Sequence, residues 1–343
     1  MSKTVYFLGA GATKAVCKDA PLNHDLVRKA LEDFPNDIQT EKIASFINHL
    51  SKNRPDFPRD NQIWNLLDYI LQQGKSASYD YNLEKIAELR AGLINLVIKE
   101  FEKTLRDAET QILGNFIEKI KNDNVTIIST NYDILIDNAL ANKSYNYGAK
   151  MRKAISGVRI DGESGLRRPD ARGYPGGVWL NQGRIPLLKL HGSLNWLYCP
   201  KCNEVDVTIG EKGAIELAEA DCYCYNRNCT SKYIPLLITP TMYKSYDNRV
   251  IKETWDCAER ELRDADNVVF IGYGLKEEDY EIRCLLMKAL LNKKELYNNI
   301  TVVEMEPSTS EEKERINAIK KKYINLYGEQ IDFKEIGFKK YVG

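Results

Sequence analysis

Three stretches of this sequence bring together residue types that can do chemistry. The first is VTIISTNYDILID, residues 125–137. Its opening residues, 125–128, are a β-branched apolar run that reads as a buried parallel strand. Ser129, Thr130, Asn131 and Asp133 follow at once, before the apolar start of a helix at Ile134. A polar cluster at the carboxyl end of a buried strand is where open α/β sheets bind ligands. The same two residue types, Asn131 and Asp133, equally suit a helix cap. The second stretch is the apolar run 185–190, which ends in His191-Gly192-Ser193; the chain has three histidines, His24, His49 and His191. Imidazole titrates near neutrality, so a histidine at a strand end can move a proton. The third is CPKC, from Cys199 to Cys202, followed by CYCYNRNC, from Cys222 to Cys229. Paired thiolates separated by roughly 20 residues have zinc-ribbon spacing, and four of them close a structural tetrahedral site. Cys199, Cys202, Cys224 and Cys229 are the expected ligands, with Cys222 able to replace Cys224; a knot of reduced thiols is the alternative.

These groups need a frame. Residues 4–8 read as a first strand, followed by Gly9-Ala10-Gly11-Ala12-Thr13. A glycine turn between strand and helix lets backbone N–H groups approach a phosphate, although GAGAT lacks the third glycine of GxGxxG and also suits a plain tight turn. Residues 22–121 carry helical periodicity with no strand, an all-helical insertion between the first two strands. Within it Trp64 and Tyr69 are expected in the core. Residues 267–271 form a further buried strand closed by Gly272-Tyr273-Gly274, and a strand over 300–303 ends in Glu304, the place where an acidic residue binds ribose hydroxyls. The segment 152–184 is rich in Gly, Arg and Pro and reads as a solvated loop, with Arg167, Arg168 and Arg172 available to phosphates or an acidic partner. Together these features predict a Rossmann-like, mostly parallel α/β sheet with a large helical insertion and a small zinc-binding module over 196–233, all in one domain spanning 1–343.

Composition excludes several classes. The 343 residues can bury a sizeable core, and 49 Lys+Arg against 49 Asp+Glu leave no global field for nucleic acid or an anionic membrane. No direct nucleic-acid binding is expected. The N-terminal apolar run is too short for a signal peptide, and no run spans a bilayer. A cytoplasmic protein is therefore expected, in which eight cysteines are metal ligands or free thiols rather than disulfides.

The order GAGAT, STNYD, LKLHGS with its cysteine pairs, then FIGYGL followed by DYEIR, resembles the Sir2 (sirtuin) superfamily. It is most similar to the bacterial Sir2-like NAD-hydrolysing proteins of antiphage defence. The resemblance places Asn131 and Asp133 on the Asn and Asp of the family's Thr-Gln-Asn-Ile-Asp motif, with Thr130 in place of Gln. It places His191 on the catalytic histidine and Gly272, Tyr273 and Gly274 beside the cofactor. It implies that Ala10 to Thr13, next to Gly9, receive the diphosphate of NAD+, that Glu304 takes the adenosine ribose, and that Asp133 binds the carboxamide. Sirtuin deacylases carry Gly-Ile-Pro-Asp-Phe-Arg where this chain has Asp19-Ala20-Pro21-Leu22-Asn23-His24, and their acyl-lysine peptide segment has no counterpart here. The implied activity is an NAD+ glycohydrolase that depletes cellular NAD, as a homo-oligomer and with a hexameric HerA-type ATPase as partner. A protein deacylase, or an assembly subunit that binds NAD or ADP-ribose without turnover, is the alternative.

Overall fold

The structure, a computed structural model, describes all residues except 1, 23–24, 53–59, 106, 141–144, 152–153, 156, 163, 171–183, 209–221 and 245. His24 and Arg172 lie outside the described residues, as does much of the Arg/Gly-rich segment. Two compact units are present. One comprises Met1–Lys18, Ala108–Leu237 and Tyr246–Gly343; the other comprises Asp19–Asp107 and Ile238–Ser245.

The first unit starts with β1 (Lys3–Leu8) and α1 (Ala10–Val16). The chain then builds the second unit from α2 (Leu26–Asp33), α3 (Ile38–Ser51), α4 (Asp60–Gln73) and α5 (Leu83–Leu105). It returns through α6 (Thr110–Ile120), β2 (Asn124–Ser129), α7 (Leu135–Leu140) and the short strands β3 (Tyr145–Asn146) and β4 (Ala154–Ile155). The hairpin β5 (Gly157–Ile160) and β6 (Arg167–Asp170) follows, then β7 (Ile185–Lys189), β8 (Gly192–Cys199), β9 (Glu204–Thr208) and β10 (Ile234–Leu237). The last third alternates: α8 (Arg249–Asp264), β11 (Asn267–Ile271), α9 (Tyr280–Leu291), β12 (Asn299–Glu304), α10 (Ser310–Tyr327), β13 (Asp332–Glu335) and α11 (Gly337–Val342).

The main sheet has the order β13-β12-β11-β1-β2-β7-β3, and its paired strands are all parallel. Its inner strands are continuous apolar runs because both faces are covered. Phe7, Phe270, Tyr273, Tyr323 and Tyr327 pack one face, with the Phe7 and Tyr273 rings 4.7 Å apart and the Phe270 and Tyr323 rings 4.9 Å apart. Strand order reverses between β1 and β11. Ligands of such sheets bind at that switch point, outside the carboxyl ends of the strands.

Helix starts follow capping chemistry. Asn248 accepts the N–H groups of Val250 and Ile251 at the head of α8, and Thr309 with Glu312 forms a capping box on α10. In the helical unit, Asp37 caps α3, Trp64 is buried, and Arg90 pairs with Asp68, whose other oxygen accepts from Thr239 at 2.8 Å. Tyr69, expected in the core, is instead 43% exposed and lies against Tyr243, ring centroids 5.3 Å apart.

Some boundaries differ from the sequence pattern. Helix α6 belongs to the sheet unit, because its apolar face packs on the sheet: Phe116 meets the Tyr6 ring at 5.2 Å. Near the C-terminus β13 pairs with β12 as an edge strand, and α11 follows it. No helix among the described residues is long and apolar enough to cross a membrane.

Candidate active site and cysteine centre

The carboxyl ends of five adjacent strands carry the residues singled out from the sequence. In sheet order they are Glu304 on β12, Gly272 after β11, Gly9 after β1, Thr130 and Asn131 after β2, and His191 after β7. Four strand spacings separate the first from the last, roughly 19 Å.

At the switch point two turns interlock. Gly9 N–H donates to Ile271 O at 3.0 Å, and Gly11 N–H to Gly272 O at 2.9 Å. Gly272 has φ +61°, and a Cβ there would stand 2.4 Å from the Ala12 nitrogen. Only glycine meets both conditions. The sequence pattern offered the 10–13 backbone to a phosphate; here the Gly11 N–H is engaged with Gly272, and the Ala12 N–H donates to Gly9 O at 2.9 Å. Close approach of two backbones is thus the first role of these glycines. Gly274 lies further along, its Cα side open to the Ile319 side chain.

The next step along the edge is a small cleft lined by Ala12, Thr13, Val16, Asn131, Asp133 and Leu135. Asn131 Nδ2 donates to Gly9 O at 2.9 Å, which ties the β2 end to the β1 turn. Thr13 Oγ1 donates to Asp133 at 2.5 Å, and the other Asp133 oxygen accepts the Leu135 N–H at 3.1 Å. Asp133 is therefore both a cap of α7 and a cleft wall. Beneath it the fully buried Lys189 reaches the Asp133 carbonyl and pairs with Asp137 at 3.1 Å. Tyr147 donates to Asp137 at 2.5 Å and accepts from Asn195 at 2.9 Å.

His191 follows β7, two residues past Lys189, which is paired in register with Ser129; Asn131 is likewise two residues past Ser129. Both therefore emerge side by side at one edge. Gly192, at φ +79°, makes the turn, and a Cβ there would lie 2.0 Å from Leu236 O. His191 is 6% exposed, 6.3 Å from the Tyr132 ring, with Nε2 4.0 Å from Asp279 Oδ1. At the far end Glu304 is buried, and burial pushes its carboxyl up to about 7 against the pull of Arg315. Its Oε1 meets no hydrogen-bond partner among the described residues.

Residues 125–327 match the family model of the SIR2-like domain, which takes in β2, the histidine turn, the cysteines and Glu304. The chain belongs to the SIR2-like domain family. Solved Sir2 structures overlap this SIR2-like chain loosely. A mutant Sir2 homologue with 2′-O-acetyl-ADP-ribose is 13% identical, with 99% of this chain and 88% of that chain covered and a TM-score of 0.42. Sir2 with NAD+ and a p53 peptide is 10% identical, with 99% and 90% covered and a TM-score of 0.39. Overlaps this loose carry no residue from one chain to the other. No curated protein matches the chain significantly.

The cysteine centre of this SIR2-like chain joins the ends of β8 to a loop before β10. The Sγ atoms of Cys199, Cys202, Cys224 and Cys229 all lie within 4.8 Å of one another. The pairs Cys199–Cys229 and Cys202–Cys224 are each 3.7 Å apart. Four thiolates around zinc at about 2.3 Å stand about 3.8 Å apart, so the set fits such an ion. Cys222 stays outside the group, its Sγ directed to Tyr223 O at 3.8 Å. Burial, then the neighbouring thiols, push Cys202 up to about 12. A divalent cation would relieve that crowding by holding all four as thiolates.

Sequence reasoning passed over the residues that support these sites. Arg168, read as part of a solvated loop, is 1% exposed. Its Nη1 donates to the carbonyls of Cys224 (2.5 Å), Cys229 (3.0 Å) and Asn226 (3.1 Å), and its Nη2 donates to Arg227 O at 3.2 Å. Its Nε pairs with buried Asp161 at 3.2 Å. Nothing in RRPD marks that burial. Lys189 did carry a signal, a cation closing an apolar strand.

Proposed function

We propose that this protein is an NAD+ glycohydrolase, cleaving NAD+ with water to nicotinamide and ADP-ribose. The observation that carries the reading is the run of Glu304, Gly272, Gly9, Asn131 and His191 along adjacent strand ends, across the switch point of a parallel sheet. A dinucleotide laid along that edge has a ribose-binding carboxyl at one end and an amide with an imidazole at the other. The C1′–N bond breaks with its electron pair leaving on nicotinamide, which departs neutral, through an oxocarbenium-like transition state. Water supplies the oxygen that bonds to C1′, and its proton passes to a base. No strong acid is needed; positioning and charge stabilisation carry the rate. Asn131, anchored through Nδ2 to Gly9 O, keeps its amide oxygen for the water or the ribose. His191 takes the ribose hydroxyl or water proton. Asp133 keeps lone pairs for the carboxamide N–H₂ beyond the Thr13 and Leu135 bonds, and the rim of the Ala10–Thr13 turn faces the diphosphate. The Cys199, Cys202, Cys224 and Cys229 set holds structural zinc, with no part in bond cleavage.

The wider reading is an antiphage effector in the cytoplasm that depletes NAD, weakly active until assembled as a homo-oligomer or with a HerA-type hexameric ATPase. A coupling of about 1–3 kcal/mol between assembly and the site changes its occupancy about 5–150-fold. The test is nicotinamide release from NAD+ by purified protein, across protein concentration and with the product of the neighbouring gene. Release without acyl-lysine peptide is expected. Release only with such a peptide would identify a deacylase, and ADP-ribose binding without release a binding subunit.

A further inference from the structure

His191 does not stand alone. Tyr132 and Asp279 face its ring, and further side chains of the sheet unit gather around those two. Tyr132 comes from the β2–α7 connection, Tyr246 precedes α8, Tyr273 lies in the turn after β11, and Asp279 ends a 3₁₀ turn of Glu277–Asp279 that leads into α9 with Glu281 and Arg283. Asp279 is 6% exposed, and its two oxygens face different partners: Oδ1 lies 4.0 Å from His191 Nε2, and Oδ2 accepts the Tyr273 hydroxyl at 3.4 Å. The Tyr246 phenol sits in the field of Glu281, Asp279 and Tyr132. Burial, with Asp279 next, pushes the Tyr273 phenol up, so it stays a neutral donor to that carboxylate. A carboxylate this deep, held from one side by a phenol and aimed at one imidazole nitrogen, has the form of a histidine-orienting group.

We propose that Asp279 is the positioning residue for His191: it holds the imidazole in the tautomer with its proton on Nε2, leaving Nδ1 as the proton acceptor, and it stabilises the imidazolium once Nδ1 is protonated. The inference rests on NAD+ cleavage only for its catalytic consequence; the pairing is argued from Asp279 Oδ1 facing His191 Nε2. An ion-pair separation of 4.0 Å is longer than a hydrogen bond, and such bonds tighten when substrate closes the site. Nothing in the chemistry requires a further reactant. The proton that leaves the ribose hydroxyl or the water rests on Nδ1 and returns to solvent after nicotinamide departs.

Two measurements test this separately from the hydrolase reading. The first needs no activity. With three histidines in the chain, the ¹⁵N imidazole signals of His191 are identified by their loss in His191→Gln and followed with pH in the wild type and in Asp279→Asn. Besides Asp279, Tyr132 faces the ring, and Tyr246, Tyr273, Glu281 and Arg283 gather around Asp279 and Tyr132; all are unchanged in that variant. The carboxylate favours the charged imidazole, so its loss should lower the His191 pKa and mix the tautomers. Identical titration and tautomer in both proteins would overturn the proposal. The second measurement is turnover: Asp279→Asn should lower kcat about 10²–10⁴-fold with KM and melting temperature nearly unchanged, and should move the acid limb of kcat/KM to lower pH. Asp279→Glu should recover part of the loss. An unaltered kcat in Asp279→Asn would also refute the role. Failure of the hydrolase reading would show instead as a wild type that releases no nicotinamide while His191 still responds to Asp279→Asn.

Discussion

The carboxyl edge of the parallel sheet and the cysteine centre both gather buried polar groups, but they treat them differently. At the cysteine centre bonding capacity is used up: Arg168 makes four bonds to carbonyls and one to Asp161, and the four thiols close on each other. At the sheet edge capacity is held back. Glu304 keeps a buried oxygen without a partner among the described residues, its carboxyl is pushed up to about 7, and His191 Nε2 stands at ion-pair rather than hydrogen-bond distance from Asp279 Oδ1. A region that only has to persist satisfies its polar groups. A region that must receive a ligand leaves them short, because a buried group without a bond gains most from a partner that supplies one.

That contrast is broken most strongly at the metal. Elemental analysis should find one zinc per chain, and Cys199→Ser should lose it together with a large part of the melting temperature, since zinc binding contributes folding free energy directly. Protein stripped of metal that melts like the untreated protein would reduce the centre to a thiol cluster.

The edge should respond in the opposite sense. Asn131→Ala should cut nicotinamide release by about 10²–10⁴-fold, while the loss of its bond to Gly9 O costs only about 1 kcal/mol of stability. Turnover assays and urea midpoints on the same preparation separate the two. Normal turnover would leave Asn131 as a tie between turns.

Arg168 sharpens the comparison from the other side. Arg168→Ala strands Asp161 and the buried carbonyls of Cys224 and Cys229, and should cost about 3–5 kcal/mol with accelerated zinc loss to a chelator. Arg168→Lys keeps the charge without the fork, so it should recover part of the stability. Intact stability in Arg168→Ala would mean that the cysteine loop holds itself.

The smallest effect concerns Glu304. Its carboxyl lies near 7 in the folded chain against an ordinary 4.5, burial being the main cause. The native state therefore binds more protons than the unfolded state between these values. Its contribution to stability is full below 4.5 and is lost as pH rises through about 7, on the order of 3 kcal/mol. Urea midpoints at pH 5 and pH 8 should fall less in Glu304→Gln than in the wild type. Equal falls would show that Glu304 ionises normally in the folded chain.

Much of this protein was legible in the sequence. Apolar β-branched runs at 125–128 and 267–271 specify buried strands, since only a strand covered on both faces tolerates them. CPKC with its later partners specifies a thiol centre through ligand spacing alone. GAGAT marked the turn after β1, and its glycines also admit the close approach of Gly272. Each of these signals is local, carried by residues within a few positions of one another. What the tertiary structure decided depends on residues far apart in the chain. Cys224 rather than Cys222 faces the centre because the loop folds back on β8. Arg168 is drawn inward by the Cys224 carbonyl, 56 residues on. Helix α6 joins the sheet unit through the contact of Phe116 with Tyr6. Asp279 comes to His191 only because β7 and β11 end at the same edge of one parallel sheet. Periodicity and composition record what one segment prefers; they do not record which distant side chain will share its burial, and that pairing is where the charges of this site are arranged.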